Sequence, residues 1–258
     1  MNKYFFLLIV GVAMLCACGT TKTTSSANVV TQKTIKVREP NVKDVMTLLE
    51  RSGYQLFTYD LTSLLDDRYD ITVRIREYVN GVQTGEDRVL GLGENKWLVS
   101  DFDPSVQAQI TPEMMVDPAS QTYMWADQLN IGFYPSGIDS VAYASIESSM
   151  GGYPKQPFKL RPIEKYNNRY EYGFRQFKLE KFEPNKFIPL VFFGSHWFDE
   201  RANVIRFCGD AELTSDLSNE IVQYVPHFYI IEFYIFYYIY TISTYLYSFL
   251  VIFLKFVL

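Results

Sequence analysis

The feature that most constrains the fold is a two-residue hydrophobic repeat that ends in a tight turn. Over residues 69–79, apolar Ile71, Val73 and Ile75 alternate with polar residues, so that one face of an extended chain would be buried. The dipeptide Asn80-Gly81 follows directly, and this pair favours a two-residue hairpin connection. The segment therefore predicts a half-buried strand that turns back into an antiparallel partner.

Segments of similar length recur along the middle of the chain, and Pro or Gly residues separate them. Many short strands without long amphipathic helices between them predict a mainly β fold, an antiparallel β-sandwich with one or two short helices. The helices are predicted at residues 41–51 and 216–224 from their 3.6-residue apolar period. The predicted strands span residues 55–61, 69–79, 88–92, 96–102, 121–126, 130–134, 140–146, 158–161, 169–182, 187–193, 203–208 and 226–231.

The composition excludes several classes of protein. The chain of 258 residues carries 24 basic and 29 acidic residues, and its net charge of −5 does not suit nucleic acid binding. Three cysteines are too few for a disulfide scaffold, and two histidines do not supply a His-rich metal site. The hydrophobic share of 48% is ample for a packed core.

The first residues have the character of an export signal. Lys3 precedes an uncharged apolar run over residues 4–17, which is short for a membrane span but suits a secretory signal peptide. Residues 19–34 are rich in Ser and Thr and contain no large aromatic side chain. Segments of this composition bury too little to order themselves, so we predict a flexible tether.

The end of the apolar run resembles a bacterial lipobox, because Leu15, Cys16 and Ala17 precede Cys18. The resemblance implies a diacylglyceryl thioether on Cys18, cleavage before it, and acylation of the new amino group. Two or three acyl chains anchor a protein firmly, whereas one chain binds marginally. The resemblance thus implies a lipoprotein signal peptide over residues 1–17, a lipidated Cys18 with its tether over residues 18–35, and a membrane as partner.

The residues after Cys18 bear on the final location. Gly19 stands where the resemblance would place Asp in a lipoprotein retained at the inner membrane, which implies delivery to the outer membrane. Residues 19–22 include no acidic side chain, and this favours a position that faces the periplasm. Together with the strand-rich body, the chain resembles β-sandwich lipoproteins of anaerobic gut bacteria, a group from which no catalytic residues can be transferred.

The C-terminal residues differ from the rest of the chain. Of the 31 residues from 228 to 258, 13 are aromatic, and residues 233–254 carry no charge. Three interpretations compete: a transmembrane helix, which would add a second membrane contact and hold the protein in the inner membrane; buried core strands; and a reading-frame error. We therefore predict a sandwich domain over residues 36–231 and a hydrophobic tail, a transmembrane helix or an artefact, over residues 232–258.

No catalytic or metal-binding constellation is evident. Ser195 and His196 are neighbours on a strand, where adjacent side chains point to opposite faces and do not readily meet. Cys208 is predicted to be a small buried side chain. His196 with Asp199 or Glu200, and the acidic residues between 210 and 220, lack the spacing of known zinc and EF-hand sites. We predict no catalytic residues, no metal and no cofactor.

The remaining functional candidates are aromatic. Trp97, Trp125 and Trp197 could form an exposed face that stacks a sugar or a peptide, although tryptophans on strands more often belong to the core. We expect a membrane-anchored envelope lipoprotein with a non-catalytic structural or interaction domain and an undefined protein or glycan partner. Two alternatives remain: a glycan- or ligand-binding module that uses these aromatics, and an envelope hydrolase that depends on His196.

Overall fold

The computed structural model describes residues 39–179, 183 and 185–237. The chain divides into two compact units, residues 1–41 and residues 42–258. The described part of the first unit, residues 39–41, has no regular secondary structure. All of the described helices and strands belong to the second unit.

The second unit is mainly β, as the sequence predicts, and has three short helices. The helices are α1 (Val42–Arg51), α2 (Pro104–Gln107) and α3 (Glu220–Tyr224). The strands are β1 (Gln55–Asp60), β2 (Tyr69–Val79), β3 (Val82–Glu94), β4 (Lys96–Leu98), β5 (Thr122–Trp125), β6 (Gln128–Ile138), β7 (Val141–Ser148), β8 (Gly151–Lys159), β9 (Tyr172–Phe177), β10 (Ile188–Ser195), β11 (Trp197–Asp199), β12 (Val204–Arg206), β13 (Glu212–Leu213) and β14 (His227–Tyr237).

Two sheets form a β-sandwich. One has four strands in the order β1-β6-β7-β8, and the other has six in the order β13-β9-β10-β14-β2-β3. All pairings within them are antiparallel except that of β13 with β9. Two small ribbons, β4–β5 and β11–β12, stand beside these sheets. The predicted antiparallel sandwich is therefore confirmed.

The main core lies between the two sheets. Phe133 and Phe158 come from the four-stranded sheet and meet Phe193 of the six-stranded sheet at ring-centroid distances of 4.9 and 5.9 Å. The predicted alternation of β2 is confirmed, because Ile71, Val73 and Ile75 are all buried in this core. Burial of apolar area at this interface is the main force that holds the layers together.

The turn that follows β2 has the predicted form. Val79 pairs with Val82, and Asn80 and Gly81 between them have φ angles of 51° and 75°. Positive φ at both central positions is the requirement of a type I′ hairpin, which Asn-Gly satisfies with little strain. The hairpin joins β2 to β3 at the edge of the six-stranded sheet.

A second apolar cluster covers part of the outer face of the six-stranded sheet. Phe192 of β10 and Phe228 and Ile230 of β14 point to this side and pack with Ile221 and Val222 of α3. Strands β10 and β14 are therefore buried on both faces. The sequences of such strands are continuous apolar runs without a two-residue alternation.

Strand β14 corrects the predicted C-terminal boundary. It pairs with β10 on one side and with β2 on the other, and its pairing with β2 continues to Tyr237. The predicted domain end at residue 231 thus falls inside a central strand, and residues 232–237 are not the start of a transmembrane helix. A fully buried strand and a membrane helix both appear as long, predominantly apolar runs, and this similarity explains the misplaced boundary. Residues 238–258 of the predicted tail lie outside the described residues.

Helix α3 is shorter than predicted. It begins at Glu220, whereas the periodicity predicts a start at residue 216. Leu217 has a φ of 58°, which is incompatible with a continuous right-handed helix. The Asp216 carboxylate accepts hydrogen bonds from the Thr214 hydroxyl and the Ser218 amide at 2.6 and 3.1 Å, and these bonds close a turn before the helix.

A buried carboxylate lies on the outer face of β14. The Glu232 side chain is 4% exposed, and its oxygens accept two hydrogen bonds from Arg76, at 2.6 and 2.8 Å, and one from Arg74 at 2.7 Å. Arg74 also pairs with Asp87 and lies over the Phe187 ring at 3.5 Å. Glu232 stands directly opposite Arg74 in the pairing of β14 with β2. The ion cluster is thus tied to the register of the central strands.

Within residues 39–179, 183 and 185–237, no helix combines the length and the apolar character that a membrane crossing requires.

Candidate functional site

A groove of about 690 Å³ opens at the end of the sandwich where β2 and β10 finish and β14 begins. Its walls come from these strand ends, from the chain that follows β8, and from the β11–β12 ribbon. The lining residues are Val79, Asn80, Arg161, Pro162, Ile163, Glu164, Lys165, Ser195, His196, Trp197, Phe198, Glu200, Tyr224, Pro226 and His227. The site combines aromatic surfaces with charged groups of both signs, a composition suited to a polar organic ligand.

A chain of hydrogen bonds runs through His227, which lines the groove, and we call this chain the floor of the groove. The imidazole is 1% exposed; its Nε2 lies 3.0 Å from Oε1 of Glu77, and its Nδ1 contacts the Tyr172 hydroxyl. The Tyr172 oxygen also accepts a hydrogen bond of 2.8 Å from the Arg161 amide. Because the Glu77 carboxylate can only accept, Nε2 of the neutral ring carries the proton, and Nδ1 accepts a hydrogen bond from the Tyr172 hydroxyl.

The electrostatics of the floor favour this neutral form of His227. Burial lowers the pKa of His227 below its usual value near 6.5, although Glu77 acts in the opposite direction. Burial also raises the pKa of Tyr172 well above its ordinary value, so the phenol keeps its proton at neutral pH. Protonation of His227 would turn Nδ1 into a donor and remove the acceptor that Tyr172 uses.

Ser195 and His196 occupy separate environments, as expected for adjacent strand residues. The Ser195 hydroxyl is buried and accepts a hydrogen bond of 3.3 Å from the His227 amide. The His196 ring stacks on Phe207 at a centroid distance of 4.9 Å, and burial lowers its pKa. The two ring nitrogens of His227 are already engaged by Tyr172 and Glu77. The described groove therefore holds no serine in the geometry of a nucleophile activated by histidine.

Aromatic side chains form one wall of the groove. Trp197 stacks on Tyr224 with a centroid distance of 5.7 Å and an interplanar angle of 20°, and both residues line the groove. Phe198 faces Tyr166 at 6.1 Å. The Lys165 ammonium pairs with the Glu200 carboxylate, and this ion pair links the segment after β8 to the turn after β11. The wall thus has flat apolar surfaces with charged groups at its margin.

The predicted aromatic residues do not all meet at this groove. Trp97 and Trp125 lie on the β4–β5 ribbon, where Trp97 is 41% exposed and stands edge-on to Phe102 at 6.0 Å. Trp197 is the member of the predicted trio that lines the groove. Cys18, the predicted lipidation site, lies outside the described residues.

The sequence reasoning missed the floor of the groove. Glu77, Arg161, Tyr172 and His227 come from four separated parts of the chain, and no local motif connects them. The prediction for Cys208 is wrong, because this cysteine is exposed. It follows the short strand β12 and lies outside the two apolar clusters. A composition-based expectation of burial therefore failed at the end of a small ribbon.

Three of the acidic residues considered as metal ligands make other contacts. Asp216 closes the turn before α3, and the Asp210 carboxylate accepts a hydrogen bond of 2.8 Å from Asn219. Asp199 pairs with Arg206 at 2.6 Å. In the part of the chain that the structure describes, no group of three or more His, Cys, Asp or Glu side chains is placed to hold a metal ion.

The fold and the groove define a class: a two-layer β-sandwich protein with a groove lined by aromatic side chains at one end. A family model described as "Domain of unknown function (DUF5041)" matches residues 24–236, and the chain therefore belongs to this family. The match includes nearly all of β14, so the family domain extends past residue 231. No curated protein and no solved structure matches the chain.

The neutral state of His227 leads to a prediction about how the free energy of unfolding depends on pH. Between the lowered pKa of folded His227 and the usual value near 6.5, the unfolded chain binds more protons than the folded chain. The free energy of unfolding must then fall as the pH falls below about 6.5, by up to about 1.4 kcal/mol per pH unit for one group. We expect His227→Gln to reduce this slope between about pH 5 and 7 in urea unfolding experiments.

His196→Gln is the matched control. Burial lowers the pKa of His196 too, so this variant should remove the contribution of His196 to the slope and leave that of His227 in place. Equal slopes for the wild-type protein and His227→Gln would contradict the neutral hydrogen-bond chain.

Proposed function

We propose that the protein is a lipid-anchored lipoprotein of the bacterial envelope whose β-sandwich binds a ligand in the groove beside Trp197. Two observations support the first half of this proposal. Cys18 ends a lipobox-like sequence, and the family domain begins at residue 24, shortly after that cysteine. In this view, acyl chains on Cys18 hold the sandwich at the outer membrane on the periplasmic side.

The stacked pair of Trp197 and Tyr224 carries the second half of the proposal. Trp197 is half-buried, so part of its surface is open to the groove while the rest packs against Tyr224. A flat aromatic surface of this kind suits the apolar C–H face of a sugar ring. Charged groups at the groove margin, Arg161, Lys165 and Glu200, can bond to hydroxyl groups around that ring. An oligosaccharide is therefore the ligand class that we propose.

Binding without catalysis fits the chemistry of the floor better than a hydrolase does. A histidine that acts as a general base needs a free ring nitrogen within reach of its substrate or nucleophile. His227 uses both nitrogens inside the protein, and Ser195 uses its hydroxyl oxygen as an acceptor for a backbone amide. The groove thus supports recognition by a preformed surface.

The ligand proposal is tested by Trp197→Ala. Loss of the stacking surface should weaken oligosaccharide binding at least about tenfold, which corresponds to about 1.4 kcal/mol. Isothermal titration calorimetry with the best ligand from an oligosaccharide panel measures the change. Trp97→Ala is the matched control, since Trp97 is a half-exposed tryptophan on the other ribbon and does not line the groove. Equal losses for both variants, or no binding across a broad panel, would contradict the glycan groove.

The anchor proposal is tested by Cys18→Ser. The variant should be absent from the outer-membrane fraction. Its mass should lack the acyl chains, because serine cannot form the thioether. Intact mass spectrometry and density-gradient fractionation of membranes are the measurements. Cys208→Ser is the control, because this exposed thiol lies within the sandwich unit and has no role in the anchor. Presence of both variants in the outer-membrane fraction would show that another segment anchors the protein there.

A further inference from the structure

Helix α1 has an apolar side that the protein does not cover. Val42, Val45, Met46 and Leu49 follow the i, i+3, i+4, i+7 pattern of one helix face, and they are 78%, 49%, 39% and 40% exposed. None of the ten residues of α1 is buried. A surface helix with such a stripe normally packs the stripe against the core. The stripe of α1 is therefore available for contact with something outside the described domain.

The orientation of α1 supports an outward-facing stripe. Asp44 is the one residue of the helix that is half-buried, and all of the others are exposed. At 100° per residue, Asp44 lies on the side of the helix opposite the centre of the stripe. Lys43, Glu50 and Arg51 also lie away from the stripe. The least exposed position of α1 thus lies on its polar side, and the apolar stripe lies on the opposite side.

We infer that α1 lies on the bilayer surface, with its apolar stripe in the boundary between headgroups and acyl chains. This inference rests on the proposed anchor at Cys18. The helix begins at Val42, only 24 positions after Cys18. A flexible chain of 24 residues averages about 27 Å between its ends. An amphipathic helix held so close to a membrane contacts the lipid surface more often than it contacts most other partners.

The anchor also explains how so small an apolar stripe can bind a membrane. Interfacial binding scales with the buried apolar area, and a ten-residue helix offers little area, so α1 alone would bind a membrane weakly. Acyl chains on Cys18 make the second contact intramolecular, and a short tether then gives a high effective concentration of membrane around the helix. A lipid surface therefore fits the position of α1 better than a second copy or the C-terminal segment, residues 238–258.

The experiment places a fluorophore on each side of α1 in the full-length acylated protein. An environment-sensitive dye is attached at Met46→Cys, within the stripe, in a Cys208→Ser background, and the protein is reconstituted into phosphatidylethanolamine–phosphatidylglycerol vesicles. Quenching by nitroxide-labelled lipids reports contact with the bilayer. Thr47→Cys is the matched control, because Thr47 is adjacent in sequence and lies on the polar side. We expect at least about threefold stronger quenching at position 46 than at position 47.

Two results would overturn the inference about α1 while the anchor stands. Equal quenching at the two positions in acylated protein would show that the helix does not lie on the membrane. A dye at position 46 that reports an apolar environment but resists lipid quenching would show that a second copy or the C-terminal segment covers the stripe. An intact mass without acyl chains would instead overturn the proposed anchor, and this readout separates the failure of the two proposals.

Discussion

A chain that ends at Ile231 will not fold into a stable sandwich. Residues 232–237 continue β14 in the centre of the six-stranded sheet, between β10 and β2. Their removal deletes Phe233 and Ile235, whose side chains are 4% and 0% exposed in the main core. Loss of one such side chain costs about 2–5 kcal/mol, whereas a domain has only about 5–15 kcal/mol of stability in total.

The truncation removes more than two side chains. Without residues 232–237, most of β2 loses its partner on one side, including Tyr69, Ile71 and Val73. The exposed edge would then carry unpaired backbone groups beside apolar residues, a combination that favours aggregation. We expect insoluble protein, or soluble protein without a cooperative thermal transition, in circular dichroism and calorimetry.

A chain that ends at Tyr237 is the control for this experiment. It retains every strand of both described sheets, so we expect it to keep a cooperative unfolding transition. A folded, cooperative protein that ends at Ile231 would contradict the central position of β14 and restore the sequence-based boundary. The same pair of truncations tests the reading-frame interpretation, because residues required for folding cannot be an artefact.

Replacement of Glu232 by Gln should lower the free energy of unfolding by about 3 kcal/mol. Removal of one partner from a buried ion pair leaves the other charge without compensation, and this usually costs about 3–5 kcal/mol. Arg74 and Arg76 are 19% and 22% exposed, so water can relieve part of that cost. The amide keeps the size of the side chain, and the loss therefore reports on charge and hydrogen bonding without a cavity.

Urea unfolding at neutral pH measures this loss, and Glu200→Gln is its control. The pair of Glu200 with Lys165 is exposed on both sides, and exposed pairs contribute about 0–1 kcal/mol. We also expect Glu232→Gln and Arg76→Gln to be less than additive when combined, because both act on the same contact. A change below about 1 kcal/mol for Glu232→Gln would show that the cluster contributes little beyond the surrounding β pairing.

Much of the sheet architecture could be predicted from local sequence patterns. The alternation in β2 and the Asn80-Gly81 turn each express a rule that acts over a few residues, and both appear in the structure as predicted. Helix α1 was predicted to within one residue for the same reason. Strand β14 was partly missed, because burial on two faces removes the alternation that marks a half-buried strand.

Much less of the candidate site could be predicted from the sequence. Trp197 was named from its residue type, and the structure places it in the groove. The hydrogen-bond chain of Glu77, Tyr172 and His227 was not predicted, since each of these residues is unremarkable where it stands in the sequence. Only the pairing of β14 with β2, which puts Tyr229 opposite Glu77 and His227 opposite Val79, brings the Glu77 carboxylate to the His227 ring.

The sequence by itself determined that this chain is a strand-rich domain with turns at definite places, because strand alternation and turn chemistry are short-range properties of the backbone. It also predicts a lipid anchor at Cys18, because the residues that resemble a lipobox are contiguous in the sequence. The tertiary structure alone decided that residues 232–237 are core, that Glu232 is held between two arginines, and that His227 forms the floor of a groove. These features depend on contacts between residues about 150 positions apart, as between Glu77 and His227, and no local pattern encodes them.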